Sequence, residues 1–153
     1  DSDTVFEASA ERVLALFLDP DFQCTKSRAI GSLEATCEAL PGPGQTVSVA
    51  LHETRPPVRG DAPHQTTFTV TWQPASRRGT WVQVVHGLER YSEATGTLAV
   101  EPLGPDRCRV VSRGTLRIKV PVMGRVIERR VLAHIQADEA KSVAFVRAHL
   151  AAG

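Results

Sequence analysis

Apolar and polar residues alternate through most of the middle of the chain, which is the pattern of half-buried β-strands. The clearest case is the segment in which Phe68, Val70 and Trp72 are separated by threonines. Alternation of this kind predicts strands over residues 4–8, 33–39, 47–51, 67–72, 80–86, 94–101 and 107–120. Short turns separate most of these segments, so the strands after the first are expected to form an antiparallel sheet.

Helical periodicity occurs at both ends of the chain. Ser9 is placed to cap a first helix that ends near Asp19, and the Asp19-Pro20 pair is placed to cap a second short helix over residues 21–28. A 3.6-residue period returns over residues 122–150 and predicts a helix of roughly 40 Å. The order of these helices and strands predicts one α+β domain over residues 1–153. It combines a curved seven-stranded antiparallel sheet with two short helices and a long C-terminal helix.

A long helix laid across a curved sheet leaves space that large side chains must fill or that stays open. The chain is only 5% aromatic, and many inward candidates are small, namely Ala35, Cys37, Ala39, Cys108, Ser112 and Gly114. This composition favours a cavity of the apolar kind that takes small molecules. The alternative is a slimmer domain in which the helix closes down on the small residues.

Composition and charge narrow the function classes. The net charge is +1, which gives no global attraction to nucleic acid, and we expect membrane contact to be transient at most. No apolar run is long enough to cross a bilayer, and the chain starts without the features of a signal peptide, so a cytoplasmic location is expected. Three cysteines without CxxC spacing predict reduced thiols rather than a disulfide framework. The sequence leaves the oligomeric state open.

Three segments carry a resemblance to a known family. They are FEASAERV at residues 6–13, LDPDF at 18–22 and GTLRIKVPVMGRVIE at 114–128. With the order of elements, they resemble the helix-grip fold of the START-like (SRPBCC) superfamily, and within it an actinobacterial and myxobacterial branch of unknown function. The resemblance covers nearly the whole chain. It implies that a hydrophobic molecule binds inside the grip, in some members with catalysis, although a fold alone does not determine function.

One polar pair stands out on the apolar face of the last helix. His134 and Asp138 are four residues apart, close to the direction of Val131 and Ile135, so the two side chains are expected to touch. In a dry cavity they could hydrogen-bond a ligand or act as acid and base. The alternative is a satisfied pair at a partly wet helix edge. They are weak catalytic candidates.

Other chemistries lack a sequence signal. The five histidines show neither HExxH nor a Cys/His cluster, so no metal is expected, and no cofactor motif is present. The glycines of residues 42–44 precede no helix, and the tripeptide Arg59-Gly60-Asp61 is interpreted as a bend. Basic residues on one face of the last strand, from Arg107 to Lys119, are interpreted as a solvated surface balanced by acids such as Glu101.

These observations favour a non-catalytic protein that binds or carries a small hydrophobic, lipid-like or polycyclic molecule between sheet and C-terminal helix. The loop at residues 55–65 and the junction at 121–124 are expected to gate the cavity. The predicted ligand-binding residues are Phe68, Val70, Trp72, Leu116, Ile127, Val131, His134, Ile135 and Asp138. The alternatives are a cyclase/aromatase- or hydrolase-like enzyme in the same cavity, and a protein-interaction domain that uses the outer sheet face.

Overall fold

The computed structural model describes residues 1–57 and 62–153. In chain order the elements are β1 (Ser2–Phe6), α1 (Ala10–Leu18), α2 (Pro20–Ala29), β2 (Glu34–Pro41), β3 (Val47–Arg55), β4 (His64–Gln73), β5 (Arg78–Val85), β6 (Ser92–Gly104), β7 (Arg107–Ile118) and α3 (Gly124–Ala152). A short 3₁₀ turn at Pro74–Ser76 joins β4 to β5. The predicted α+β helix-grip architecture is confirmed.

All seven strands form one antiparallel sheet in the order β1-β7-β6-β5-β4-β3-β2. Consecutive strands from β2 to β7 are neighbours, as the short turns predict, and β1 joins the edge of β7. The register places Val70 of β4 opposite Val49 of β3 and Trp81 of β5. Because side chains alternate along a strand, the residues that share this face point to the helices and form the inner face of the sheet.

The two short helices begin where the sequence supplies caps. The Ser9 side chain accepts a hydrogen bond from the backbone N–H of Arg12 at 3.2 Å. Asp19 accepts from the N–H groups of Asp21 and Phe22, and Pro20 occupies the first turn of α2. These contacts satisfy donors that a helix start leaves free. They direct α1 and α2 so that Val13 and Phe22 are buried in the core.

Trp81 fills the part of the inner face where small residues predict open space. Gly96 and Gly114 are partners on β6 and β7, and the Trp81 ring lies so close to both that neither position has room for a Cβ atom. The ring also packs against Phe68, with 5.7 Å between centroids. The expectation that Gly114 helps to line a void is therefore wrong, because an aromatic ring from the neighbouring strand occupies the space.

The long helix α3 packs unevenly along its length. Positions 132, 135, 139, 143, 146 and 150 follow the spacing of one helix face. Val146 and Leu150 on this face are 2% and 8% exposed, whereas Leu132 and Ile135 are 44% and 38% exposed. The second half of α3 is therefore seated on the core, whereas in the first half Leu132 and Ile135 are exposed and Ile127 and Val131 are only partly buried. No helix in the described parts of the chain is both long and apolar enough to cross a membrane.

Candidate functional site

A cavity of about 260 Å³ lies between the inner face of the sheet and the seated half of α3. Its walls come from β1, α1, α2, β3, β4, β6, β7 and α3. Most of the lining is apolar, and the central wall is formed by Phe68, Val70 and Trp72 of β4. Phe17 of α1 extends this wall, since its ring stacks on that of Trp72 at 6.0 Å between centroids.

The polar residues of the lining come from β1, α2, β7 and α3. They are Ser2, Thr4, Gln23, Lys26, Ser112, Glu139 and Ser142. Gln23 donates its side-chain N–H to the carbonyl of Leu16 at 3.0 Å, so this amide already has a partner within the chain. A mainly apolar cavity with a few placed polar groups is typical of small-molecule sites.

Lys26 brings a charge to this apolar surface. The side chain as a whole is only partly buried, but its amino group lies inside, where burial lowers the pKa from 10.5 to about 8. The negative charge of Glu53 opposes this shift without cancelling it. The amino nitrogen lies 5.9 Å from the centroid of the Phe17 ring, a favourable distance for a cation over an aromatic face.

Glu53 of β3 is held in a polar cluster beside the cavity. One of its carboxylate oxygens accepts hydrogen bonds from the hydroxyls of Ser27 at 2.5 Å and Ser32 at 3.2 Å. The other accepts from Thr66 at 3.4 Å. These donors satisfy a carboxylate that would otherwise be costly next to the core. They also mean that both carboxylate oxygens of Glu53 have hydrogen-bond donors that do not come from Lys26.

Arg55 links the middle of α3 to the end of β3. It donates to the Ser32 hydroxyl at 3.0 Å and to the carboxylate of Asp138, which also lies 3.8 Å from the amino group of Lys141. Among the described residues, Asp138 therefore pairs with Arg55 and Lys141, and the predicted contact with His134 is not formed. The reason is that an arginine on the facing strand supplies a stronger, charge-assisted partner than a histidine on the same helix.

The structure divides the predicted ligand-binding residues into two groups. Phe68, Val70 and Trp72 line the cavity together. The other predicted residues lie outside it: Leu116, Ile127, Val131 and Asp138 are partly buried, and His134 and Ile135 are exposed. The second group lies on α3 ahead of Glu139 or at the end of β7, where the helix is less deeply buried than in its second half.

Sequence reasoning missed Lys26, the charged residue of the α2 wall. A signal for it exists in the sequence, because Lys26 lies four residues after Phe22 and three after Gln23, both of which are buried. Helical spacing therefore places Lys26 in the middle of the inner face of α2. Glu139 was also missed, although helical spacing places it on the same face of α3 as the buried Val146.

The predicted gates fall partly outside the described residues. The centre of the loop, residues 58–61, and with it the Arg59-Gly60-Asp61 tripeptide, is not described. At the other gate, Val122 is fully exposed and has a φ of 66°, a left-handed conformation that β-branched residues rarely adopt. The Gly124 N–H then donates to the carbonyl of Val120 at the start of α3.

Most of the basic residues on the outer face of β7 and directly after it are paired with acids; among the described residues, Arg117 has no such pair. Arg109 donates to Glu101 at 2.6 and 3.0 Å, and Arg107 lies 3.2 Å from Glu7. Lys119 lies 3.0 Å from Glu93. The face is thus a surface of balanced charge, in agreement with its interpretation from the sequence.

The cysteine side chains are thiols. Cys24, Cys37 and Cys108 are free. Burial, together with a hydrogen bond to Cys24, raises the pKa of Cys37 to about 12, so this thiol stays protonated at neutral pH. Within residues 1–57 and 62–153, no three His, Cys, Asp or Glu side chains are grouped so that they could hold a metal ion.

Solved structures similar to this chain share its fold. A START superfamily protein from Mycobacterium smegmatis matches with a TM-score of 0.65 and 16% identity over 97% of this chain and 96% of that one. Norcoclaurine synthase from Thalictrum flavum matches with a TM-score of 0.63 and 19% identity over 95% of this chain and 83% of that one. The Zhui aromatase/cyclase from Streptomyces sp. R1128 matches with a TM-score of 0.53 and 18% identity over 97% and 94%.

At these identities the likeness establishes the fold, which is that of the START superfamily, and leaves function open. No curated protein matches the chain significantly. A protein-family profile described as "Protein of unknown function (DUF2505)" matches residues 1–150. Because this match spans nearly the entire chain, the protein belongs to the DUF2505 family, with a START-like fold.

Proposed function

We propose that this protein binds and carries a small hydrophobic molecule in the cavity between the sheet and α3. The observation that carries the proposal is the cavity itself, because a concave space of about 260 Å³ with a mostly apolar lining and a few polar groups is typical of a small-molecule site. A guest that removes this apolar surface from water gains about 25 cal/mol per Å².

The uneven packing of α3 supports the same function. Leu132 and Ile135 continue the helix face that closes the cavity and are exposed in the first half of α3. They give an apolar molecule an accessible apolar surface on the same helix. The three free cysteines fit a reducing compartment, and we place the binding protein in the cytoplasm as part of this proposal.

We favour binding over catalysis because of where the catalytic candidates lie. His134 is exposed, and Asp138 is engaged by Arg55, so neither faces the cavity as an acid or base. The structural neighbours include a norcoclaurine synthase and an aromatase/cyclase, and their low identity carries neither activity to this chain. An enzyme that uses Lys26 and Glu139 in the same cavity is the alternative.

The test is a cavity-filling substitution with a matched control. Val143 of α3 lines the cavity, whereas Val82 of β5 is exposed. We expect Val143→Phe to weaken binding of the neutral fluorescent probe N-phenyl-1-naphthylamine about tenfold, which corresponds to about 1.4 kcal/mol, and Val82→Phe to leave it unchanged. Thermal unfolding of both variants checks that the fold is retained.

A second measurement addresses the natural guest. Protein purified without denaturation and extracted into organic solvent should release a stoichiometric apolar molecule that mass spectrometry detects. The proposal is overturned if the probe does not bind, or if it binds equally well to the Val143→Phe variant with its fold intact.

A further inference from the structure

The amino group of Lys26 places a positive charge at the wall of the cavity. Of the described residues that line the cavity, Lys26 alone is cationic. Within the described chain, its amino group forms no ion pair within 4.0 Å and no hydrogen bond. An ammonium group that has lost water and gained no counterion is unfavourable. A guest with a negative charge can supply this counterion.

Among the described residues, the groups around Lys26 do not serve as its counterion. From β3, Glu53 attracts the ammonium ion but is held by Ser27, Ser32 and Thr66. From β2, Cys37 is a protonated thiol, since its pKa is raised to about 12. From α1, Phe17 offers only its ring.

The apolar wall begins directly beside this charge. Phe17 contacts the Lys26 amino group on one side and stacks on Trp72 on the other. Trp72 continues into Val70 and Phe68 along β4. A molecule with its head at Lys26 therefore has its body against the apolar wall. Glu139, the carboxylate that α3 adds to the lining, repels an anion, which favours an anionic head at Lys26 over one at Glu139.

We propose that Lys26 pairs with a carboxylate of the guest, so that the cavity selects amphipathic organic acids with one anionic head and a compact apolar body. This assignment rests on the proposed binding function and specifies its ligand class. The bond is a charge-assisted hydrogen bond from the ammonium group to the carboxylate, in a site where little water competes. No covalent step is involved.

The test compares an acid with the matching alcohol. Octanoate and 1-octanol have the same apolar body and differ in the charge of the head group. By titration calorimetry at pH 7, we expect Lys26→Met to weaken octanoate binding about tenfold or more, the range for hydrogen bonds to charged groups. Binding of 1-octanol should change less than about twofold. Lys119→Met, at an exposed lysine on the outer face, is the matched control and should change neither.

The pH dependence provides a readout that a purely structural lysine would not give. Because the pKa of Lys26 in the free protein is about 8, octanoate affinity should be constant from about pH 6 to 7.5 and fall above pH 8, approaching tenfold per unit. Affinity for 1-octanol should not follow this curve. Lys26→Arg should retain octanoate binding and lose the fall above pH 8, because a guanidinium group keeps its charge.

The outcomes separate the two claims. If 1-octanol binds while octanoate binds equally to the wild type and to Lys26→Met, the assignment of Lys26 is overturned and the proposed binding function stands. If neither compound binds and N-phenyl-1-naphthylamine does not bind either, the proposed function itself fails, and the assignment fails with it.

Discussion

The two halves of α3 present one continuous face to very different surroundings. Val146 and Leu150 in the second half are buried, whereas Leu132 and Ile135 in the first half are exposed by more than a third. The sequence pattern of the two halves is similar, so the difference arises from what lies opposite. The second half meets α1, α2 and the start of the sheet, which supply Val13 and Phe22 to the core.

An amphipathic pattern predicts which side of a helix faces inward. It does not predict whether other residues pack against that side. A helix whose two ends differ in this way can pack closely at one end and loosely at the other. In this molecule the cavity ends on α3 at Glu139 to Val146, in the seated half. The boundary between the two halves lies at Asp138, which is tied to Arg55.

The largest effect is expected from one substitution made in both halves. Leu150→Ala should lower the free energy of unfolding by about 2–5 kcal/mol, because it removes buried methyl groups and leaves a void. Leu132→Ala removes the same groups from an exposed position and should cost less than about 0.5 kcal/mol. Urea unfolding followed by circular dichroism measures both. Equal losses would show that the first half is seated as firmly as the second.

A second prediction concerns the charge beneath the seated half. Lys26→Met should raise the free energy of unfolding by about 1–3 kcal/mol at neutral pH, since the folded protein holds this lysine at a pKa of about 8 against 10.5 when unfolded. Below about pH 8 the full penalty is present. From there to about 10.5 the unfolded chain binds the extra proton, so the stability of the wild type rises relative to the variant.

The measurement is a series of urea unfolding curves from pH 7 to 10.5 for the wild type and Lys26→Met. The difference between the two should be largest at or below pH 8 and shrink towards pH 10.5. A difference that does not vary with pH would mean that the amino group is hydrated in the folded protein. Lys119→Met serves as the exposed control.

The smallest effect is expected at the boundary between the halves. Asp138→Asn replaces a charged partner of Arg55 by a neutral one and should cost about 1 kcal/mol, with faster amide hydrogen exchange over residues 124–138. The control is Glu93→Gln, which removes the exposed pair with Lys119 and should cost less than about 0.5 kcal/mol. If exchange in the first half of α3 is unchanged, Arg55 does not hold the helix.

The sequence predicts the elements and their order well because each has a local cause. The Ser9 and Asp19 caps, the alternation around Val70 and the long 3.6-residue period all act over neighbouring residues, and the structure contains the corresponding helices and strands. The wall of Phe68, Val70 and Trp72 follows from the same alternation, which identifies the inner face of β4.

The polar part of the site was harder to predict because it depends on partners distant in sequence. Asp138 is four residues from His134, but its stronger partner, Arg55, lies 83 residues away on another element. Likewise, the space above Gly114 is occupied by Trp81, and only strand pairing shows this. Local spacing identifies which residues can meet, and tertiary competition decides which do.

The placement of the two indole rings gives the protein a built-in optical reporter. Trp72 and Trp81 are the two tryptophans of the chain, and both point to the concave side of the sheet. One lines the interior next to Phe17, and the other covers the glycines of β6 and β7. Tryptophan emission, excited at wavelengths that tyrosine does not absorb, therefore originates on the inner face of the sheet. Its wavelength and intensity should respond to solvent entry there.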